Sequence, residues 1–233
     1  MNVVITGITG CLGEEIAYIL LKNNYNVIGT YCNNQKKADE LSKKLNIEIY
    51  ELDLNNENSI KEFIKKIQNK KIDILINNAA YYNDSPLNEK TSKEFLKILN
   101  INLVGPFILS KEIGKLMLEN KKGKIINIAS TNGIDTYYPE SIDYDASKAG
   151  LINLTKNLAS YFAPYITVNA IAPGWIETKE TLNMNEEFIK EEKDKILLKR
   201  FAKPEEIAQL VLFLCQNNYI NSETIRIDGG IKW

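Results

Sequence analysis

Val3-Val-Ile-Thr-Gly-Ile-Thr-Gly-Cys-Leu-Gly13 begins as a β-branched apolar run, turns through glycines at 7, 10 and 13, and passes into the helical period of Leu12 to Leu21. Glycine suits such a turn because the backbone must reverse tightly, approach an anion without a Cβ in the way, and bring the helix close to the strand. A strand, a glycine turn and a helix in immediate succession are where a doubly wound fold seats a pyrophosphate on a helix N-terminus. A plain structural turn is the alternative. The position directly after the first strand argues for the dinucleotide.

Outward from this stretch, short runs rich in Val and Ile recur at Val27 to Ile28, Ile47 to Tyr50, Ile72 to Ile76, Lys124 to Ile128, Ile166 to Ile171 and Thr224 to Ile227. They read as strands, about seven in all with Val3 to Ile5. Between them lie helical patterns at Leu12 to Leu21, Ile60 to Ile67, Phe95 to Met117, Ala149 to Phe162 and Glu206 to Leu214. Such alternation specifies an α/β fold: a doubly wound, Rossmann-type parallel sheet with helices on both faces, a three-layer sandwich. No repeat or Pro/Gly-rich linker divides the chain, so residues 1–233 are expected to form a single domain for cofactor binding and catalysis. The polar stretch 177–195 interrupts the alternation and suits a substrate lid of one or two short helices.

At 233 residues and 44% hydrophobic content the chain can bury one sizeable core. A formal net charge of -1 and a pI near 5.8 give no general attraction to nucleic acid or anionic lipid, and neither is an expected partner. Cys11, Cys32 and Cys215 are odd in number and widely spaced, which fits free thiols in a reducing compartment better than a disulfide framework or a metal site. The opening MNVVITGITG has no basic segment followed by a long apolar run, and no spanning segment is evident. A cytoplasmic location and no bound metal are the expectations.

The chain has no histidine, so proton transfer must use other side chains. Tyr144-Asp-Ala-Ser-Lys148 places a phenol and an ammonium about 6 Å apart along a helix axis, close enough for the cation to favour the phenolate. Tyr18 and Lys22 have the same spacing, so the pair means something only in its surroundings.

Those surroundings resemble the short-chain dehydrogenase/reductase family over nearly the whole chain. The order of motifs carries the resemblance: the glycine loop Thr6 to Gly13, Asp53-Leu54, Asn77-Asn78-Ala79-Ala80, Asn102, Ser130, Tyr144 with Lys148, Pro173-Gly174 with Thr178, and Asp228-Gly229-Gly230. Arg200, Pro204-Glu-Glu-Ile-Ala208 and the ending ETIRIDGG are most similar to the family's bacterial β-ketoacyl-acyl-carrier-protein reductases. The resemblance implies an NAD(P)H-dependent oxidoreductase that moves a hydride between nicotinamide and a carbonyl or secondary alcohol, with 3-oxoacyl thioesters among the candidate substrates.

It also implies roles. Tyr144 would be general acid in reduction and general base in oxidation, Lys148 would supply the charge that stabilises its phenolate and bind the nicotinamide ribose, and Ser130 would hold the substrate oxygen. Asn102 would help hold a water that links Lys148 to solvent. Thr131 rivals Ser130, being 13 residues before Tyr144, but Ser130 keeps the family's distance of three to Gly133. The cofactor would contact Gly7, Thr9, Gly10, Cys11, Leu12, Gly13, Thr30, Asn33, Asp53, Leu54, Asn78, Ala79, Ala80, Tyr144, Lys148, Pro173, Gly174, Ile176 and Thr178. Tyr81, Tyr82, Tyr137, Tyr138 and Trp175 are candidates for the substrate pocket. Self-association into a homo-tetramer or homo-dimer through the helices at Phe95 to Met117 and Ala149 to Phe162 is a further implication.

Three departures qualify the resemblance. Cys11 stands where the single-domain subgroup carries its middle glycine, and the spacing TGxxGxxG is that of the nucleotide-sugar epimerases, although their added carboxy-terminal length is missing. Strand two ends Gly29-Thr-Tyr-Cys-Asn-Asn-Gln-Lys-Lys37 without the carboxylate that binds the 2′-hydroxyl of NAD, so NADP is favoured over NAD, with Lys36, Lys37, Thr30 and Asn33 toward the phosphate. Tyr161-Phe-Ala-Pro-Tyr165 lacks an arginine expected of the acyl-carrier-protein reductases, leaving Lys124 as the other basic position, so an acyl-carrier protein is a doubtful partner. A non-catalytic dinucleotide-binding sensor or scaffold is the alternative from another class, opposed by the presence of Asn102, Ser130, Tyr144 and Lys148 together.

Overall fold

The computed structural model describes residues 1–231. Its strands are β1 (Asn2–Ile5), β2 (Asn26–Tyr31), β3 (Glu48–Glu51), β4 (Ile74–Asn77), β5 (Gly123–Ile128), β6 (Ile166–Pro173) and β7 (Thr224–Ile227). They form one parallel sheet in the order β3-β2-β1-β4-β5-β6-β7. The order reverses between β1 and β4. A crevice opens at such a reversal beyond the carboxyl ends of the strands, because the connections on either side leave toward opposite faces.

Nine α-helices cover the sheet among the described residues: α1 (Cys11–Lys22), α2 (Gln35–Leu45), α3 (Glu57–Ile67), α4 (Ser92–Leu99), α5 (Gly105–Glu119), α6 (Ile142–Phe162), α7 (Lys179–Leu182), α8 (Glu186–Lys195) and α9 (Pro204–Gln216). Alternate strand residues supply the two cores. Val3, Ile5, Val27, Ile76 and Ile126 pack with Ile16 and Leu20 of α1 and Ile207 and Val211 of α9. Val4, Ile28, Leu75, Ile125 and Val168 pack with Phe63 of α3, Ile113 of α5 and Phe162 of α6. Both faces of the sheet are therefore dry, which explains why β4 and β5 read as continuous apolar runs.

Two elements differ from the sequence reading. Gln35–Leu45 is a helix, although it carries only Ala38 and Leu41 as buried residues on a lysine-rich surface; Asn34 caps it by accepting from the Lys37 amide. The single helix expected from Phe95 to Met117 is interrupted by a π-helical turn at Asn100–Val104. Pro106 has no amide hydrogen and cannot donate to the carbonyl of Asn102, so the regular ladder fails at this residue. The turn displaces the register of Asn102.

Candidate active site

Where β1 and β4 end side by side, the loops are tied together. The Thr6 hydroxyl accepts from the amides of Asn78 and Ala79, both at 2.9 Å, and Asn78 Nδ2 donates to the Thr6 carbonyl at 2.9 Å. The glycine loop between them is tightly constrained. Gly7 has φ +68°, and a Cβ on Gly13 would lie 2.4 Å from the Gly7 carbonyl oxygen. A Cβ on Gly10 would instead meet only that oxygen, at 3.4 Å, so its outer face is open. No side chain caps α1 at Gly10, leaving the first amides of the helix available to an anion.

The loop borders a cleft of about 740 Å³. All but two of the residues expected to meet the cofactor line it: Gly7 and Thr9 through Gly13, Thr30, Asn33, Asp53, Leu54, Asn78, Ala79, Ala80, Tyr144, Lys148, Pro173, Gly174, Ile176 and Thr178. A cradle with an open glycine, free helix amides and a cleft of this size fits a dinucleotide. Lys36 and Lys37 do not line it. Lys37 lies at a neighbouring hollow, 3.2 Å from Glu14, which also receives Lys44 at 3.1 Å.

Ser130, Tyr144 and Lys148 meet on one wall. Tyr144 lies in the first turn of α6 and Lys148 one turn further, its Nζ 5.4 Å from the Tyr144 ring centroid and donating to the Ile128 carbonyl at 2.7 Å. The Ser130 hydroxyl lies on the same cleft wall as Tyr144 and is itself held by Asn132, donating to Oδ1 at 3.1 Å and accepting from the Asn132 amide at 3.2 Å. Thr131 is 1% exposed and begins a short 3-10 turn; its carbonyl caps the following amides, whereas the Ser130 hydroxyl caps the turn through the Asn132 amide. The distance of three to Gly133 has a physical cause, since a Cβ there would meet the Lys148 backbone at 2.6 Å.

Burial pushes the Lys148 amine down to about 7. Burial likewise raises the Tyr144 phenol above its usual range; the neighbouring Ser130 hydroxyl opposes this, and the charges of Asp145 and Asp84 add to it. Lys148 therefore does not hold the phenol down in the protein alone. Its ammonium faces a carbonyl and the ring, and loses more by dehydration than it gains there.

Asn102 stands apart. It is 1% exposed and lies behind the cleft wall, where Oδ1 accepts from the Tyr81 amide at 2.8 Å and Nδ2 donates to the Tyr81 carbonyl at 2.8 Å and to Ser147 Oγ at 3.0 Å. Its side chain joins the β4 loop to α6. One more buried pair does the same: Lys90 Nζ sits 2.8 Å from Asp143 Oδ1, next to Tyr144.

The other end of the cleft is aromatic. Tyr82 meets Tyr144 edge to face at 6.4 Å, and Tyr138, Trp175 and Phe188 line the wall. Trp175 stacks on Phe201 at 5.7 Å and abuts Phe188 of α8. Glu192 of α8 is 3% exposed; it accepts from Trp175 Nε1 at 2.9 Å and from the Tyr138 hydroxyl, and pairs with Lys195 at 2.5 Å. Two expectations fail here. Tyr137 points outward, 74% exposed, because the backbone at Tyr138 is extended and successive side chains leave on opposite sides. Lys124 is buried at the amino end of β5, far from the carboxyl-end cleft, its Nζ donating to the Asn217 carbonyl, so it is no surface anchor for a partner. Asp84, Glu140, Met184 and Phe188 line the cleft without a signal in the sequence, since they sit on loops and a lid that follow no period.

A glycine-cradled cleft at the sheet's reversal, with a serine, a tyrosine and a lysine on one wall, defines a nucleotide-dependent oxidoreductase. The chain belongs to the short-chain dehydrogenase/reductase family: the family model described as enoyl-(acyl carrier protein) reductase matches residues 7–232. It is 35% identical to a 3-oxoacyl-(acyl-carrier-protein) reductase of Aquifex aeolicus, over 98% of this chain and 96% of the relative. Among solved structures it resembles 4-hydroxyisoleucine dehydrogenase complexed with NADH (TM-score 0.91, 32% identity, covering 98% and 97% of the two chains). The 3-oxoacyl-(acyl-carrier protein) reductase of Brucella melitensis also has a TM-score of 0.91, at 26% identity, covering 99% and 90%. The chain is accordingly an NAD(P)-dependent oxidoreductase acting between carbonyl and alcohol. Among the described residues no helix is long and apolar enough to cross a membrane, and no cluster of His, Cys, Asp or Glu could hold a metal.

Proposed function

We propose that the chain reduces a small ketone or aldehyde, with Tyr144, Ser130 and Lys148 as catalytic residues and Asn102 as their positioning residue. The meeting of the Tyr144 side chain, the Ser130 hydroxyl and the Lys148 amine on one wall of the glycine-cradled cleft carries this reading. When bound, the nicotinamide supplies or accepts the hydride. Ser130 donates a hydrogen bond to the substrate oxygen and Tyr144 delivers a proton to that oxygen as it gains charge. A raised phenol pKa suits the acid direction, because Tyr144 stays protonated until the substrate oxygen takes its proton. Lys148 reprotonates it, and an amine near neutrality can both give and recover a proton at physiological pH.

NADP is the proposed cofactor in preference to NAD: β2 ends without a carboxylate in its Thr30-Tyr-Cys-Asn33 segment, and Lys37 lies at the hollow beside Thr9 and Gly10. The segment 177–195 acts as a substrate lid, held by Glu192. We further propose a single functional domain, a cytoplasmic site of action and a homo-tetramer or homo-dimer. Leu96, Val104 and Phe107 on α4, the π turn and α5, with Tyr161 on α6, leave apolar surface for a second copy. Gel filtration at the monomer mass would remove that last proposal.

A 3-oxoacyl thioester is a second substrate reading, favoured by the full-length identity to the Aquifex aeolicus reductase. The burial of Lys124 weighs against an acidic carrier protein. The test is NADPH and NADH oxidation against ketones, aldehydes, sugars and β-ketoacyl thioesters, repeated with Tyr144→Phe. Turnover lost with the hydroxyl supports the reading. Cofactor binding with no turnover on any compound would favour a sensor instead.

A further inference from the structure

The charge on the cleft walls is one-sided. Asp53, Asp84, Glu140 and Glu180 line it, and Lys148 is its one basic residue among those described. Lys148 is also buried, with a pKa near neutrality, so it offsets less than a full charge at pH 7 and above. Lys97 stands over the ring of cleft-lining Tyr81 at 4.1 Å and Lys193 over that of Phe201 at 5.3 Å, outside the lining itself, and three other cations near the substrate end are held in ion pairs. Lys90 is paired with Asp143, Lys195 with Glu192, and Arg226 with Asp135 and Asp228.

Two of the carboxylates belong to the substrate end. Asp84 accepts from Ser141 Oγ at 2.7 Å, and the Ser85 amide donates to the Glu140 carbonyl at 3.2 Å, which holds the two loops carrying Asp84 and Glu140 side by side. The negative charge of Asp84 reaches the Tyr144 hydroxyl, where it resists formation of the phenolate. Tyr82, Tyr138 and Trp175 line the same space, with Trp175 stacked on Phe201 and meeting Tyr138 edge to face. Carboxylates beside aromatic faces attract an organic cation and repel an anion. A bound dinucleotide adds its own negative phosphates to the cleft, which steepens the preference.

We propose that the substrate of this cleft carries a fixed positive charge near the reacting carbon, as an amino ketone or amino alcohol does, with Asp84 and Glu140 as the specificity-determining residues. The proposal rests on the oxidoreductase reading of the same cleft. It separates this chain from enzymes whose substrates arrive on acidic carriers or bear a carboxylate. A unit charge about 8 Å from one carboxylate at the edge of the protein changes affinity roughly tenfold at low salt.

The experiment compares three ketones of one carbon skeleton, ending in a trimethylammonium, a neutral tert-butyl or a carboxylate group. The kcat/KM of each is measured with saturating NADPH. The cationic ketone is expected to exceed the neutral one by about tenfold and the anionic one by about a hundredfold, falling toward equality in about 0.5 M salt. Asp84→Asn with Glu140→Gln should compress the cation-to-anion ratio at least tenfold while folding, read by circular dichroism, is retained. Equal rates across the series, or preference for the carboxylate, would overturn the charge proposal while leaving the oxidoreductase reading intact. If no member is reduced, the substrate reading fails on its own account. Calorimetric binding of the same three compounds to the NADPH-loaded protein then decides the charge: tighter binding of the cation supports it, and equal binding refutes it.

Discussion

The two ends of the cleft are built by different means. The cofactor end is backbone: a glycine turn, the first amides of α1, and the Thr6 clamp on Asn78 and Ala79 at the ends of β1 and β4. The substrate end is side chain: Tyr82, Tyr138, Trp175 and Phe188, held by the buried carboxylates Asp143 and Glu192. Backbone geometry fixed by a sheet tolerates few sequences, whereas loops and a lid can be rebuilt around different substrates. One end therefore defines the family. The other defines the individual enzyme.

The largest effect to separate the ends should come from Tyr144→Phe. Removing the proton donor is expected to lower kcat by about 10²- to 10⁴-fold. NADPH affinity, measured by fluorescence titration, should change little, because the cofactor end is untouched. Comparable loss of both would mean that Tyr144 chiefly holds the fold.

Next in size is Lys90→Met. It would leave Asp143, which is 0% exposed, as an unpaired buried charge, and should cost about 3 to 5 kcal/mol in urea unfolding. The double variant Lys90→Met with Asp143→Leu should recover most of that loss. Failure to recover would show that the pair does more than neutralise itself beneath Tyr144.

Gly13→Ala probes the backbone end. A Cβ 2.4 Å from the Gly7 carbonyl must displace the loop, with about 1 to 3 kcal/mol of destabilisation and a rise in the KM for NADPH rather than a fall in kcat. A change confined to kcat would place the glycine's role elsewhere.

A pH-dependent effect concerns Lys148 in the ligand-free protein. Its folded pKa, about 7, lies below that of an unfolded lysine, so the unfolded chain binds more protons between pH 7 and the ordinary lysine range. This group's contribution to stability rises with pH across that window and is least favourable below pH 7. Lys148→Met should therefore raise Tm more at pH 6 than at pH 10, even as it abolishes turnover. A Tm gain that is independent of pH would contradict the burial of a titrating amine.

The same contrast explains what was legible in the sequence. The strands, the glycine loop and the Tyr144–Lys148 spacing repeat with the periods of sheet and helix, so composition and spacing reached them. The preference for Ser130 over Thr131 came instead from the resemblance, through the distance of three to Gly133, which packs on the Lys148 backbone. The break at Asn100–Val104 was not foreseen, although Gly105-Pro106 marks it, and α2 was hidden by having only Ala38 and Leu41 to bury. Asp84, Glu140 and Glu192 gave no signal. Their meaning depends on which loops adjoin in space, and local pattern does not encode that. Lys124 misled for the same reason: its motif position matched, but its strand end faces away from the cleft.

The central claim is that Tyr144, beside Ser130 and Lys148, passes protons while hydride crosses between a nicotinamide and a carbonyl carbon. It is tested most directly by a single turnover with NADPH dideuterated at C4 and the ketone preferred in the charge series, following the label by mass spectrometry. The account predicts deuterium on the carbinol carbon of the product with wild-type protein and at least a hundredfold slower transfer with Tyr144→Phe. A carbinol carbon without deuterium, or transfer at the same rate without the hydroxyl, would contradict it.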